Sequence, residues 1–267
     1  MSNVILQANH LVKTYAQRSG KFGFGTTLVS ALDDVSVSLT EGKTLAVVGE
    51  SGSGKSTLAR CLLQLQPLDS GEVLFAGQDL AKLSGNDLRA VRKNLQMVFQ
   101  DPFASLNPRM RVGEIVGEGL LIHEVGKVSE RQQKVIAMLK RVGLTEADMQ
   151  KYPHEFSGGQ RQRVGIARAL VLQPKVVVCD EPVSALDVSI QAQILLLLKE
   201  LQAEMALSYV FISHDLRVVR HIADDIVVMN RGKVIEQGKV EDIYQYPQHE
   251  YTQNLLAAIP GKKVVNA

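Results

Sequence analysis

Residues 49–57, GESGSGKST, combine three glycines and a lysine with four hydroxyl residues, directly after an apolar run at 45–48. Glycines let backbone N–H groups converge on phosphate oxygens, and a helix that starts here adds the positive end of its dipole. We expect Lys55 to reach the β- and γ-phosphates and the Ser56 hydroxyl to ligate Mg²⁺. An ordinary Gly/Ser turn is the alternative, but an apolar strand before the loop and an apolar helix after it favour a P-loop.

The P-loop spacing, Gly-x4-Gly-Lys-Ser, predicts ATP or another nucleoside triphosphate as the ligand. The predicted nucleotide-binding residues of this loop are Gly49, Glu50, Ser51, Gly52, Ser53, Gly54, Lys55, Ser56 and Thr57.

A pair of acids ends the apolar run VVVCDEP at 176–182. Asp180 is placed to hold Mg²⁺, and Glu181 is placed to polarise an attacking water. Adjacent side chains at a strand end point in different directions, so one can face the metal while the other faces the nucleophile. A solvated strand end is the alternative interpretation of the same two residues.

Residues 156–170, FSGGQRQRVGIARAL, lead from two glycines into a helical pattern. The start of this helix offers a second set of N–H groups to an anion. Taken alone, the segment would be a helix start with Ser157 as N-cap and arginines on a solvated face.

Composition and charge restrict the class of protein. The chain has 267 residues, 30 basic and 28 acidic, so no strong overall field draws it to nucleic acid. Its N-terminus lacks the pattern of a secretory signal, and its apolar runs are shorter than the roughly 18 residues of a membrane helix, which predicts a soluble chain. Cys61 and Cys179 have no metal-ligand spacing and are expected to be small buried side chains. This cysteine usage fits a reducing cytoplasm.

The elements that must position these residues have the pattern of an α/β protein with a mainly parallel sheet. Buried strands are predicted at 44–49, 176–180, 209–213 and 225–230, and a helix with one apolar stripe follows Asp187. Three alternating runs before residue 78 predict an N-terminal antiparallel β subdomain. Residues 19–27, SGKFGFGTT, are predicted to form a mobile loop, and about 103–168 are predicted to be mostly helical.

Taken together, the motifs resemble those of the ATP-binding-cassette (ABC) ATPase family. SGGQ at 157–160 is similar to its signature, Gln100 in VFQDP to its Q-loop, and Asp187 in SALD to its D-loop. His214 in ISHD is similar to its switch histidine. Tyr15 in VKTYAQ matches the aromatic residue that stacks on adenine, although a core or edge tyrosine remains the alternative.

The resemblance implies a mechanism that needs two ATPase domains. ATP held by one P-loop would be capped by the signature segment of the other domain, here Ser157, Gly158, Gly159 and Gln160. Glu181 would act as general base, with His214 positioning the γ-phosphate and water. Gln100 would ligate Mg²⁺, together with Ser56 and Asp180, and couple nucleotide state to an inserted helical subdomain.

Longer stretches, including VFQDPFASLNPRMRVGEIV at 98–116 and HEYTQNLL at 249–256, are similar to the second ATPase subunit of the peptide/nickel-uptake branch of importers. That branch implies a second ABC ATPase subunit, two permeases and a substrate-binding protein as partners, no nucleic acid, and a peripheral location at the cytoplasmic face of the inner membrane. Arg109 and Arg111 would line the groove for the permease, or belong to a solvated basic loop. Many peptide-importing relatives continue with a cysteine-containing tail that this chain lacks, which weakly favours a metal or other small-solute cargo.

The expected organisation is one ABC ATPase domain over 1–267. Its P-loop core comprises 1–100 and 168–267, with the helical signature subdomain at 101–167. Two other classes of function stay open: a soluble ABC ATPase that remodels nucleic acid or ribosomes, and a P-loop kinase. The near-neutral charge disfavours the former, and the signature and His214 disfavour the latter.

Overall fold

The computed structural model describes residues 3–19 and 25–259. Within these ranges the chain is an α/β protein that divides into two compact units, one made of the described residues up to 83 and from 209 onward, and the other of 84–208. The predicted fold class is therefore confirmed. The predicted helical subdomain, 101–167, lies inside the second unit, and its boundaries as a domain stay a prediction.

The first unit contains an antiparallel sheet of four strands in the order β2–β1–β4–β5. Long strands β1 (Val4–Ser19) and β2 (Gly25–Thr40) pair along most of their length, while β4 (Ser70–Phe75) pairs with β1 and β5 (Gln78–Asp79) with β4. The predicted loop at 19–27 overlaps both strands, since Ser19 ends β1 and Gly25 begins β2. Its central part, 20–24, lies outside the described residues.

The first unit also contains the strand that leads into the glycine-rich loop. Strand β3 (Thr44–Val48) is entirely buried and pairs in parallel with β8 (Ser208–Ser213) on one side and β9 (Asp225–Asn230) on the other. An antiparallel strand, β10 (Lys233–Lys239), follows β9. Runs of β-branched residues suit strands buried on both faces, so the sequence pattern and the burial agree. The unit's helices are α1 (Lys55–Leu62), α8 (Leu216–Ile222), α9 (Val240–Gln245) and α10 (Glu250–Ala257).

The second unit pairs β6 (Leu95–Val98) in parallel with β7 (Val176–Asp180). Between them in sequence lie helices that confirm the helical pattern expected for this stretch. The helices of this unit are α2 (Gly85–Arg92), α3 (Pro102–Ser105), α4 (Val112–Ile122), α5 (Val128–Arg141), α6 (Gly158–Leu170) and α7 (Val188–Met205).

The apolar stripe predicted on α7 is buried at its centre. Ile194, Leu197, Leu198 and Leu201 are buried, whereas Ile190 and Met205 at the two ends are only partly covered. The helix ends at Met205, and the next residue, Ala206, takes the left-handed conformation with φ of 52°. A stripe at helical spacing thus predicted the packed face of this helix.

Both cysteines are buried, as the sequence predicts. Burial raises the pKa of the Cys61 thiol to about 11, and burial also raises that of Cys179. Neither thiol is therefore a nucleophile at neutral pH. No helix among residues 3–19 and 25–259 has both the length and the apolar character needed to cross a bilayer.

Candidate ATP-binding and hydrolysis residues

The glycine-rich segment joins β3 to α1. At two of its positions only glycine fits, because a side chain would collide with neighbouring backbone. Gly49, Gly52 and Gly54 have φ of 149°, 80° and 104°. A Cβ on Gly49 would lie 2.1 Å from the carbonyl oxygen of Met229, and one on Gly54 would lie 2.3 Å from that of Ala31. The loop is therefore packed so closely against neighbouring backbone that these two positions have no room for a side chain.

The ammonium group of Lys55 lies inside this loop. Its Nζ donates to the carbonyl oxygens of Gly49 and Glu50, each at 2.8 Å, and is 3.4 Å from the Ser53 hydroxyl. The residue is only 5% exposed although it carries a charge. A buried cation held by backbone carbonyls can exchange them for phosphate oxygens when an anion enters.

Helix α1 begins at Lys55, directly after Gly54. Its N-cap residue, Gly54, has no side chain that could cap the first turn. The first N–H groups of a helix have no partner within the helix, and its dipole places positive charge there. The loop, the uncapped helix start and the buried ammonium together fit a polyphosphate, with Ser56 and Thr57 partly exposed in the same turn.

Two more predicted residues lie in the first unit. His214 follows β8 and is exposed; Asp215 after it caps α8, accepting from the Arg217 backbone N–H at 2.9 Å. The Arg217 side chain lowers the pKa of Asp215. Tyr15 is 36% exposed on β1, and the Lys13 ammonium lies over its ring, 5.7 Å from the ring centre.

The carboxylates and the glutamine lie in the second unit. Asp180 is the last residue of β7 and is 5% exposed; Glu181 follows it with φ of 46°. The Gln100 side-chain amide donates to Glu181 Oε2 at 3.0 Å. The parallel pairing of β6 with β7 thus brings together two residues that are 81 positions apart in sequence.

The predicted signature segment forms the start of α6. The Ser157 hydroxyl accepts from the Gln160 N–H at 3.3 Å, and the Gln160 side chain accepts from the Ser157 N–H at 3.0 Å, a capping box. A Cβ on Gly159 would lie 2.7 Å from Cγ2 of Ile190. Ser157 and Gln160 are exposed, so the segment combines a fixed backbone with an accessible surface.

Asp187 caps α7, accepting from the Ile190 N–H at 3.0 Å and from the Ser189 hydroxyl at 2.7 Å. These hydrogen bonds, led by that of Ser189, lower the pKa of Asp187.

Arg109 and Arg111 are exposed and lie just before α4 in the sequence. The Arg111 guanidinium lies 5.8 Å from the ring centre of Tyr152.

Sequence reasoning missed two residues that support the loop and Tyr15. The Tyr251 hydroxyl accepts from the Glu50 N–H at 3.2 Å, and Asp69 accepts from Lys13 Nζ at 2.7 Å and from the Thr14 N–H at 2.6 Å. A single tyrosine or aspartate outside any recognisable motif gives no sequence signal of such a contact. The stretch HEYTQNLL was singled out for its resemblance to importers, but that resemblance gave Tyr251 no role.

These observations define a P-loop nucleoside triphosphatase of the α/β class. Comparison with known proteins gives the family. The ABC transporter family profile matches residues 32–184. The chain is 52% identical over 257 residues to the oligopeptide transport ATP-binding protein AppF of Bacillus subtilis, covering 96% of this chain and 78% of that protein. It is 52% identical over 256 residues to the dipeptide transport ATP-binding protein DppF of Escherichia coli, covering 96% and 76%.

A solved structure agrees with this assignment. The ATP-binding cassette MJ0796, in a dimeric post-hydrolysis state bound to ADP and Pi, is 30% identical and superposes with a TM-score of 0.77, covering 88% of this chain and 99% of that one. The chain belongs to the ABC transporter family and is one of its ATP-binding ATPases. The predicted resemblance is therefore confirmed, and the generic kinase alternative is wrong.

Proposed function

We propose that this chain is the ATPase subunit that drives a peptide importer. The observation that carries the proposal is its 52% identity, over 96% of its length, to oligopeptide and dipeptide transport ATP-binding proteins. A relative from Pseudomonas aeruginosa, 51% identical, is a di/tripeptide transport ATP-binding protein. Because these relatives are transport proteins, they disfavour the alternative of a nucleic-acid or ribosome remodeller.

The residue roles are part of the proposal. In the first unit, the loop at 49–57 binds the phosphates, Tyr15 stacks on adenine, and His214 positions the γ-phosphate and water. In the second unit, Glu181 is the general base and the segment beginning at Ser157 caps ATP held by a sister ATPase. The exposed start of α6 supports this last role, because N–H groups at a helix start bind anions.

Mg²⁺ is proposed as the metal, with Ser56 in the first unit and Gln100 and Asp180 in the second as candidate ligands. Mg²⁺ prefers oxygen donors and is usually held by one or two carboxylates together with substrate phosphates. The described residues contain no group of three or more His, Cys, Asp or Glu side chains that could form a metal cage. Ser56 offers a hydroxyl oxygen, Gln100 an amide oxygen and Asp180 a carboxylate, all donors of the kind that Mg²⁺ takes.

The proposed partners are a second ABC ATPase, two permease subunits and a substrate-binding protein, with the chain peripheral at the cytoplasmic face of the inner membrane. Exposed apolar side chains in the second unit support a protein partner there: Phe99 is 41% and Phe103 64% exposed. The Arg161 guanidinium lies 3.7 Å from the ring centre of Phe103, which places a charge beside this apolar surface.

Uptake measurements test the cargo. We expect deletion of the gene to abolish uptake of labelled dipeptides or tripeptides by the native cell, and the wild-type gene, but not Lys55→Ala, to restore it. A labelled nickel chelate measured in parallel tests the metal alternative. Unchanged peptide uptake in the deletion strain would contradict the proposal.

Affinity capture of the tagged chain from detergent-solubilised membranes tests the assembly. We expect multi-span proteins and a second P-loop ATPase to co-purify. Ribosomal proteins or DNA without any membrane protein would overturn the importer assignment, while leaving ATP binding in place.

A further inference from the structure

One peptide group of the phosphate-binding loop is held at both ends. In the peptide that joins Gly49 to Glu50, the carbonyl oxygen accepts from Lys55 Nζ at 2.8 Å, and the N–H donates to the hydroxyl oxygen of Tyr251 at 3.2 Å. A peptide group is planar and rotates as one body. The orientation of the N–H therefore fixes the direction of the carbonyl that holds the lysine.

The peptide group needs such a restraint because it follows a glycine. Gly49 has φ of 149°, a conformation that glycine enters and leaves without steric penalty. The neighbouring carbonyl, that of Glu50, is held from inside the loop by Lys55 and by the Ser53 N–H at 3.2 Å. Tyr251 supplies a contact from outside the loop.

Helix α10 holds Tyr251 in place. Tyr251 packs against the buried cluster that includes Val48, at the end of β3, and Leu256. Its own N–H donates to Nδ1 of His249 at 3.0 Å, which caps the helix. The turn before α10 is fixed by Glu236, whose carboxylate accepts from the His249 N–H at 3.1 Å and from the preceding N–H at 2.8 Å.

We propose that Tyr251 is a positioning residue for ATP binding. Its hydroxyl keeps the Gly49–Glu50 peptide in the orientation that directs the Gly49 carbonyl, and with it the Lys55 ammonium, into the loop. ATP then meets a lysine already placed where the phosphates arrive, and little ordering remains to be done on binding. The inference rests on the proposed phosphate-binding role of residues 49–57. It makes α10, near the end of the chain, a part of the nucleotide site.

The test is Tyr251→Phe, which keeps the packed ring and removes the hydroxyl. We expect hydrogen exchange at the Glu50 amide to become faster, because its acceptor is gone. We expect ATP to bind roughly three- to tenfold more weakly, the usual effect of losing one hydrogen bond. KM for ATP should rise while kcat changes little, and the melting temperature should stay close to that of the wild type. Tyr246→Phe, at an exposed tyrosine just before α10, is the matched control and should change none of these values.

Two outcomes would overturn the inference. Wild-type exchange at Glu50 in Tyr251→Phe would show that the hydroxyl does not hold this amide. Faster exchange with unchanged ATP affinity would show that the hydrogen bond has no role in binding. Lys55→Ala distinguishes failure of the underlying proposal: if that variant binds ATP as tightly as the wild type, the phosphate-binding role of the loop is wrong, whatever Tyr251→Phe does.

Glu236→Gln gives a second, independent measurement. This change weakens the acceptor that fixes the turn before α10 and leaves the tyrosine itself intact. We expect Glu50 exchange and ATP affinity to shift in the same direction as in Tyr251→Phe, by a smaller factor. A shift in the opposite direction would contradict a positioning role for α10.

Discussion

The side-chain amide of Gln100 donates to a carboxylate oxygen of Glu181 over 3.0 Å. The two residues follow β6 and β7, whose parallel register pairs Val98 with Cys179. Carboxyl ends of parallel strands meet at one edge of a sheet, so residues far apart in sequence become neighbours there. The proposed Mg²⁺ ligand and the proposed general base are therefore connected directly, and a change in Gln100 acts on Glu181.

Glu181→Gln should keep ATP binding and lose hydrolysis, because the amide cannot accept the proton of the attacking water. We expect turnover to fall about 10²- to 10⁴-fold, the usual range for loss of a general base. Steady-state hydrolysis, measured with the sister ATPase present, checks this, and Glu200→Gln on the exposed face of α7 is the control. Full turnover in Glu181→Gln would remove Glu181 from this role.

Gln100→Glu should shift the acid limb of the pH–rate profile upward. The change places a second carboxylate within hydrogen-bond distance of Glu181, and two like charges at that separation raise the pKa of one member of the pair. We expect the acid limb to move by about one pH unit or more. Gln133→Glu on the exposed face of α5 adds the same charge elsewhere and should leave the profile unchanged. Identical profiles for both variants would contradict the contact.

Gly54→Ala should abolish ATP binding and destabilise the fold. Its Cβ would lie 2.3 Å from the Ala31 carbonyl oxygen at a φ of 104°. Gly42→Ala has a similar backbone strain, with φ of 72°, but nothing within 4 Å of the new Cβ. We expect Gly42→Ala to lower the free energy of unfolding by about 1 kcal/mol and to bind ATP normally. Equal losses of ATP affinity in the two variants would show that strain alone, and not the close approach, matters.

Asp69→Asn should weaken the dependence of the free energy of unfolding on pH in the acid range. Hydrogen bonds from the Lys13 side chain, and then from Thr14, lower the pKa of Asp69 from 3.8 to about 2. A carboxyl with a lowered pKa stabilises the fold above its unfolded-state value, and this contribution disappears as pH falls from about 4 to about 2. Denaturant unfolding from pH 7 to pH 2 should therefore give a shallower dependence for Asp69→Asn.

Asp34→Asn is the control for this experiment, because it removes an equally charged but 71% exposed carboxylate that pairs with His10 on the surface. We expect its stability to follow the wild type. If Asp69→Asn and Asp34→Asn lose stability equally, the contact between Asp69 and Lys13 does not account for the acid dependence.

Short-range patterns predicted much of the fold. Runs rich in β-branched residues identified β3, β7, β8 and β9, because strands buried on both faces are mostly apolar. The loop at 49–57 was recognised because phosphate binding needs glycines and a lysine at this fixed spacing. Strand β6, LQMV, was not predicted, since a run of four residues with one glutamine has no detectable period.

Contacts between distant parts of the chain could not be predicted in the same way. The bond from Glu50 to Tyr251 spans 201 residues and depends on how α10 packs against the cluster beside β3. The bond from Gln100 to Glu181 depends on the pairing of β6, which the sequence did not reveal. Motif resemblance identified both members of the second pair, but only the fold shows that they are in contact.

Glu181 occupies the left-handed region of backbone conformation, with φ of 46°. A residue with a side chain is less stable there than glycine by about 1–2 kcal/mol. A single substitution to glycine would therefore strengthen the fold in the same step that removes the proposed base.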